Sequence, residues 1–159
     1  MRKLKLTTFD IVSAIILVLL LSFIVVHKHR LCIVDGESMM PTIRDHQLLL
    51  SVNPSQIERG DIVVIRLDDG ELLIKRIIGI PHDTVHIHDG RVYVNEVVFD
   101  DFQTDYAGLL VCPFTLGEGR YFVLGDNRGK SMDSRYPKVS ILDEEQIWKK
   151  VVMLKDYNK

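Results

Sequence analysis

Cysteine is scarce: the 159 residues contain two, Cys32 and Cys112, too few for a disulfide framework. Whether the two pair stays open at this point. An excess of charge of either sign is also missing. Twenty basic against 22 acidic residues leave a net charge of −2, without the basic surplus that gripping nucleic acid requires. Glycine and proline, 10 and 5 residues, are too few for a fibrous or low-complexity chain. With aromatics at 8%, the composition is not that of a disordered one. There is no internal repeat, and no alternation of helix and strand signals that would make a doubly wound α/β fold. What the chain does have is a mean hydropathy of +0.10, high for a sequence in which 26% of residues are charged. One segment must carry that excess.

The segment is N-terminal. Ile11 to Val26 contains two non-apolar residues, Ser13 and Ser22, and as a helix rising about 1.5 Å per residue it spans about 24 Å. Adding Thr7 to Asp10 brings residues 7–26 close to the roughly 30 Å of a bilayer core. A buried core helix would show a polar face, and this run is apolar all round. A cleaved signal peptide would be followed by small residues, whereas His27, Lys28, His29 and Arg30 are bulky and basic. The expectation is an uncleaved anchor in the lipid bilayer. Arg2, Lys3 and Lys5 precede it, so the positive-inside rule puts residues 1–6 in the cytoplasm. Residues 27–159 then form a net-acidic domain outside a cell membrane crossed once.

That domain reads as mainly β. Apolar and β-branched runs recur at Leu48–Val52, Ile62–Leu67, Leu72–Ile80, Thr84–His88, Val92–Val94, Tyr121–Leu124 and Val151–Leu154. Asp69-Gly70 and Asp89-Gly90 are hairpin signals, because tight turns between strands need positive φ. Ser140 followed by Asp143 resembles a capping box, predicting one short C-terminal helix through Trp148. Residues 100–119 have the weakest pattern and read as a long loop or a small accessory sheet.

Three constellations could carry chemistry. The ectodomain histidines come first, but none stands in a local motif with a nucleophile. His86-x-His88 puts two imidazoles on one strand face without an evident third ligand, so no metal is expected. Ser38 lies in Gly36-Glu37-Ser38-Met39-Met40-Pro41-Thr42, where Met40 breaks a nucleophile elbow. Lys75 lies inside the apolar run Leu72-Leu73-Ile74-Lys75-Arg76-Ile77-Ile78-Gly79. Burial there would disfavour its charged form, and a neutral lysine amine is a competent base for a serine hydroxyl. On the residues alone, Lys75 pointing to water and Ser38 as a plain turn residue remain open. The third segment, Gly125 to Arg135 (GDNRGKSMDSR), is dense in polar side chains immediately after a strand and suggests a positioned hydrogen-bond network.

Together these segments resemble the bacterial type I signal peptidases, serine proteases with a Ser-Lys dyad. The resemblance covers nearly the whole chain in order: the anchor, Ser38-Met39-Met40-Pro41-Thr42, Arg59-Gly60-Asp61-Ile62-Val63-Val64, Lys75-Arg76-Ile77-Ile78-Gly79-Ile80-Pro81 with Asp83, and the 125–135 box. The single span and short ectodomain are similar to the Gram-positive form. The resemblance implies an antiparallel β-sheet protease domain that removes signal peptides from exported preproteins without metal or cofactor. It implies Ser38 as nucleophile, Lys75 as general base, Ser131 holding the lysine amine by a hydrogen bond, and an Asp133–Arg135 ion pair shaping the loop. The Ser38 backbone N–H would serve the oxyanion, with Gly36 standing where some members have a serine donor. Val34, Met39, Ile43, Leu73 and Ile74 match positions near the pockets for small substrate residues, and core packing would suit the same five. His82 replaces a usual glycine, so its turn is expected to differ. Asn95-Glu96 replaces an asparagine-glycine turn. A dedicated or non-catalytic homologue serving surface-protein or pilus assembly is the alternative. Two further readings carry less: a self-cleaving repressor-type relative, for whose DNA-binding domain there is no room, and an anchored binding module without chemistry.

Overall fold

The computed structural model describes residues 7–27, 31–100, 102–104 and 112–152, the side chains of 24–27 excepted. The N-terminal residues 1–6, the basic residues at 28–30 and the end of the last expected strand at 153–154 lie outside them. One helix, α1 (Thr8–His27), is followed by eleven strands: β1 (Leu31–Ile33), β2 (Leu48–Val52), β3 (Ile62–Arg66), β4 (Leu72–Gly79), β5 (Thr84–His88), β6 (Arg91–Val94), β7 (Val97–Val98), β8 (Phe114–Thr115), β9 (Arg120–Leu124), β10 (Leu142–Asp143) and β11 (Ile147–Val152). Seven form one sheet in the order β1-β2-β11-β3-β4-β9-β10, and four form a smaller one in the order β7-β6-β5-β8. Every pairing is antiparallel. Of the weakly patterned stretch 100–119, the described residues include β8, an edge of the smaller sheet.

Strand formation follows the β-branched runs, and the turns follow local chemistry. Asp89 and Gly90 join β5 to β6 with φ of 48° and 71°, the two positive values that a two-residue hairpin with matching twist requires. Asn95 and Glu96 do the same between β6 and β7, with φ of 51° and 67°. The turn at His82 was expected to change its form, yet histidine takes the left-handed conformation itself, φ 72°. Its backbone N–H donates to the Leu116 carbonyl at 3.0 Å, and that contact holds it there.

Three apolar clusters hold the sheets. Ile77, Val63, Ile65, Val123 and Leu142 pack on one side of β3, β4 and β9. Ile78, Phe122 and Leu124 meet Val85, Val92, Val94 and Leu116, which joins the smaller sheet to the larger. Val34, Met39 and Ile43 meet Leu49, Ile62, Val64 and Val151 at the other end. Gly79 lies at the junction of the two sheets, where a Cβ would stand 2.6 Å from Leu116 Cδ1 and 2.8 Å from Val85 Cγ2, so only glycine fits without displacement.

The predicted short helix at 140–148 is not formed. Leu142–Asp143 pairs with β9, a single 3-10 turn covers Glu144–Gln146, and β11 begins at Ile147. A capping box does exist, three residues later than expected, between Asp143 and Gln146. It caps one turn only, because Ile147 and Val151 are buried in a strand that runs between β2 and β3. Two flanking ladders and a buried face outweigh local helix preference.

The side chains described on α1 are exposed on all faces, from Phe9 at 78% through Leu19 at 63% to Phe23 at 61%. Among the described residues, whose α1 side chains end at Phe23, no helix is long and apolar enough to cross a membrane.

Ile77, fully buried in the first cluster, provides a test of where the core sits. Ile77→Ala is expected to lower stability by about 2–5 kcal/mol, read from urea unfolding by Trp148 fluorescence. A loss below about 0.5 kcal/mol, the scale of a surface change, would contradict this placement.

Candidate active site

The loop between β1 and β2 closes on itself before it presents a side chain. Val34 donates its N–H to the Gln47 carbonyl (3.0 Å), and His46 donates back to the Val34 carbonyl (3.0 Å). Gly36, at φ 102°, donates its N–H to Asp45 Oδ1 at 2.8 Å. A helical turn follows, in which Ile43 N–H donates to the Met39 carbonyl at 2.9 Å. Met39 and Ile43 are buried at 1% and 0%. With those anchors in the core, Ser38 is left half-buried above them.

Lys75 comes from β4, opposite Val63 of β3. Its side chain runs inward, 2% exposed. Nζ lies 2.9 Å from Ser38 Oγ and donates to the Ile74 carbonyl at 3.0 Å. Among the described residues no carboxylate is in ion-pair contact with it. Burial lowers the amine's pKa to about 8, outweighing the pull of Asp133 and Glu71 in the other direction. The pair is therefore a hydroxyl facing an amine that readily loses its charge.

The loop after β9 closes the site from the third side. Asn127 donates its N–H to the Ser38 carbonyl at 3.0 Å and its Nδ2 to the Glu37 carbonyl at 3.1 Å. Asp133 and Arg135, 0% and 1% exposed, form a two-pronged pair at 2.8 and 2.9 Å. Gly125 N–H donates to Asp133 Oδ2 at 3.0 Å. A Cβ on Gly125 would lie 2.2 Å from Ser131 Oγ and 2.5 Å from the Ser38 carbonyl oxygen, so this close approach requires glycine.

Ser38, Lys75, Asp133 and Arg135 thus meet in one place, with Gly36 at the loop entrance. The bond expected from Ser131 to the lysine amine is absent. Among the described residues Ser131 Oγ is buried with no hydrogen-bond partner, packed against Gly125, while the amine is engaged by Ser38 and Ile74. Val34, Met39, Leu73 and Ile74 line a cleft of about 280 Å³ beside Ser38 and Lys75. Ile43 is not on its wall; it packs in the core with Leu49 and Ile62. Cys32, on the same wall, is a free thiol, as is the exposed Cys112. His86 stacks on Tyr93 across the β5–β6 pair at 4.9 Å. A larger groove, about 1080 Å³, opens by Asp68, Glu118 and Glu144 and includes neither Ser38 nor Lys75.

Three contacts escaped the motif reading. Arg76 forks onto Asp126 (2.8 and 2.6 Å) and donates to the Gly60 carbonyl at 2.8 Å. Arg128, 4% exposed, pairs with Asp100. Arg59 pairs with Asp83 at 2.6 Å. The available signal was an arginine next to Lys75 in an apolar strand, since a guanidinium there demands a carboxylate. Nothing in the spacing said which one.

A family model described as signal peptidase, peptidase S26, matches residues 6–154. Signal peptidase I of Bacillus licheniformis is 32% identical, over 90% of this chain and 86% of its own. Signal peptidase I S of Bacillus subtilis (strain 168) is 36% identical, over 79% and 74%. A solved signal peptidase I from Enterococcus faecalis V583 aligns at a TM-score of 0.46 and 28% identity, covering 58% of this chain and 94% of that one.

Asp133→Ala would leave the buried Arg135 without its carboxylate. Urea unfolding is expected to show a loss of about 3–5 kcal/mol, far beyond a surface pair; a loss under about 1 kcal/mol would mean that the guanidinium has found another anion.

Proposed function

This chain belongs to the signal peptidase family, peptidase S26, and we propose that it removes N-terminal signal peptides from exported preproteins through a Ser38–Lys75 dyad. It is a serine endopeptidase of the signal peptidase I kind. The observation that carries the dyad is the 2.9 Å approach of a buried lysine amine, without an ion-paired carboxylate among the described residues, to the Ser38 hydroxyl.

In this mechanism neutral Lys75 accepts the Ser38 hydroxyl proton as Oγ attacks the scissile carbonyl carbon. The oxyanion accepts a hydrogen bond from the Ser38 backbone N–H. Gly36 brings no side-chain donor, which leaves the oxyanion without a contact of a kind worth about 3 kcal/mol elsewhere. Collapse of the intermediate breaks the C–N bond, and the lysine ammonium returns its proton to the leaving amine. Lys75 then deprotonates the water that hydrolyses the acyl-enzyme. Asp133 with Arg135 holds the loop.

The substrate enters as an extended strand. From Leu72 to Lys75, β4 pairs among the described residues with β3 on one side only, since β9 joins it from Arg76 onward. That edge faces the cleft and suits strand addition. Small residues at the first and third positions before the cut fit against Val34, Met39, Leu73 and Ile74, where larger ones would clash. Confinement to the membrane raises the local concentration of emerging substrates. The proposed anchor is residues 7–26, whose apolar run as a helix rising about 1.5 Å per residue comes close to a bilayer core of about 30 Å. Its apolar side chains suit lipid on every face. The N-terminus lies in the cytoplasm and the catalytic domain outside.

Purified enzyme incubated with a preprotein should cleave it, and Ser38→Ala and Lys75→Ala should each abolish cleavage while leaving the unfolding transition in place. Processing by either variant at near wild-type rate would refute the dyad. The pH profile has a definite sign. The base form of Lys75 is the neutral one and its pKa is about 8, so kcat/KM should climb through that pH from the acid side. A profile that falls there would exclude lysine as the base.

A further inference from the structure

The Ser38 turn and the 125–135 loop meet at Gly125, and Gly125 is held from both sides. Its N–H donates to Asp133 Oδ2 at 3.0 Å, and its carbonyl accepts Arg128 Nε at 3.0 Å. Each of those holders is buried, and each leads outward to neighbouring residues of one short segment: Arg128 to Asp100 and Phe102, and Asp133, through Arg135, to Thr104. Arg128 Nη2 donates to Asp100 Oδ2 at 2.5 Å, and Nη1 donates to the Phe102 carbonyl at 3.0 Å. The guanidinium also lies 5.5 Å from the Phe102 ring centroid. Arg135, which grips Asp133, donates through Nη1 to Thr104 Oγ1 at 2.6 Å and through Nη2 to the Arg128 carbonyl at 2.7 Å. The segment is itself fixed to the smaller sheet, because Thr104 N–H donates to the Gly90 carbonyl of the β5–β6 turn at 2.9 Å.

Two arms therefore run from one strap to one glycine. The first is Asp100–Arg128–Gly125 carbonyl; the second is Thr104–Arg135–Asp133–Gly125 N–H. A guanidinium has five N–H donors in a rigid fork, so taking up the outer nitrogens orients the inner ones. Asp100 and Thr104 touch neither Ser38 nor Lys75, but they supply acceptors that point both arginines at the loop. Gly125 packs closely against the Ser38 turn, as a Cβ there would stand 2.2 Å from Ser131 Oγ and 2.5 Å from the Ser38 carbonyl oxygen. The same loop also holds the Ser38 carbonyl through the Asn127 N–H at 3.0 Å.

We infer that Asp100 and Thr104 are positioning residues for the reaction at Ser38, setting the alignment of the nucleophile turn through Arg128 and Arg135. This rests on the Ser38 reading given above. It gives the smaller sheet a part in catalysis, since it carries the strap that aligns the site.

The test uses the full chain in detergent with a preprotein substrate, comparing wild type with Asp100→Asn, Thr104→Val and Thr104→Ser. In Asp100→Asn and Thr104→Val, kcat is expected to fall about tenfold with KM within about twofold, because alignment rather than substrate binding is lost. Thr104→Ser retains the hydroxyl and is expected to keep kcat within about twofold of wild type. Hydrogen exchange at the Gly125 amide gives a readout independent of activity, and its rate should rise about tenfold in Asp100→Asn and Thr104→Val and not in Thr104→Ser. An unchanged kcat in both variants, a loss confined to KM, or unchanged exchange at Gly125 would each overturn the inference. So would a Thr104→Ser enzyme as slow as Thr104→Val. If Asp100→Asn fails to fold, the two Thr104 variants decide alone. A wild-type enzyme that leaves the preprotein intact would instead refute the function proposed for Ser38, while exchange at Gly125 would still judge the strap.

Discussion

A lysine amine kept out of water, facing a serine hydroxyl and free of any bonded carboxylate among the described residues, is the constraint around which the site is arranged. Lys75 is 2% exposed with its Nζ 2.9 Å from Ser38 Oγ. Desolvating a cation is costly, and the usual remedy, a paired carboxylate, would hold the charge in place. The surrounding cations do have that remedy. Arg76 is matched by Asp126, Arg128 by Asp100 and Arg135 by Asp133. Each of these three guanidiniums has an aspartate, whereas Lys75 has no ion-paired carboxylate among the described residues and loses its proton more readily.

The architecture serves that arrangement from three directions. β4 contributes the lysine from the interior of the larger sheet, and its partner β3 fixes the register. The β1–β2 loop contributes the serine, with Met39 and Ile43 anchored in the core beneath. The loop after β9 closes over both and holds the Ser38 carbonyl through the Asn127 N–H. The smaller sheet is joined to the larger by Val85, Val92, Val94 and Leu116 against Ile78, Phe122 and Leu124. Its turn at Gly90 carries the segment that reaches both buried arginines of the loop.

Much of this was legible in the chain because local chemistry and tertiary demand agreed. β-branched runs marked β2, β3, β4 and β5 to within a residue or so, and Asp89-Gly90 marked its hairpin through the need for positive φ. Where the two disagreed, local reading failed. Residues 140–148 carry helix-start chemistry, but Ile147 and Val151 are drawn into a central strand. His82 keeps a left-handed turn that favours glycine, held by a backbone bond to Leu116. Ser131 was expected on the lysine amine, and its hydroxyl packs against Gly125 instead, without a hydrogen-bond partner among the described residues. Short edge strands such as β1, β7, β8 and β10 have too few residues to show a period.

By itself the sequence determined the residue types and their order. It holds a long apolar run at the start, β-forming segments with turn chemistry between them, a lysine where only apolar residues would be expected, and a loop too polar to be idle. These are properties of neighbours along the chain, and periodicity and propensity report on neighbours. Only the tertiary structure decided which aspartate meets Arg59, Arg76 and Arg128, that Ile43 supports the cleft from behind while Leu73 lines it, and that Asp100, Phe102 and Thr104 reach the loop of the site. Three of those pairings, Arg59 with Asp83, Arg128 with Asp100 and Arg76 with Asp126, join positions 24 to 50 residues apart. A carboxylate's demand for a partner is written in its chemistry, but the partner's address is set by how the sheets pack.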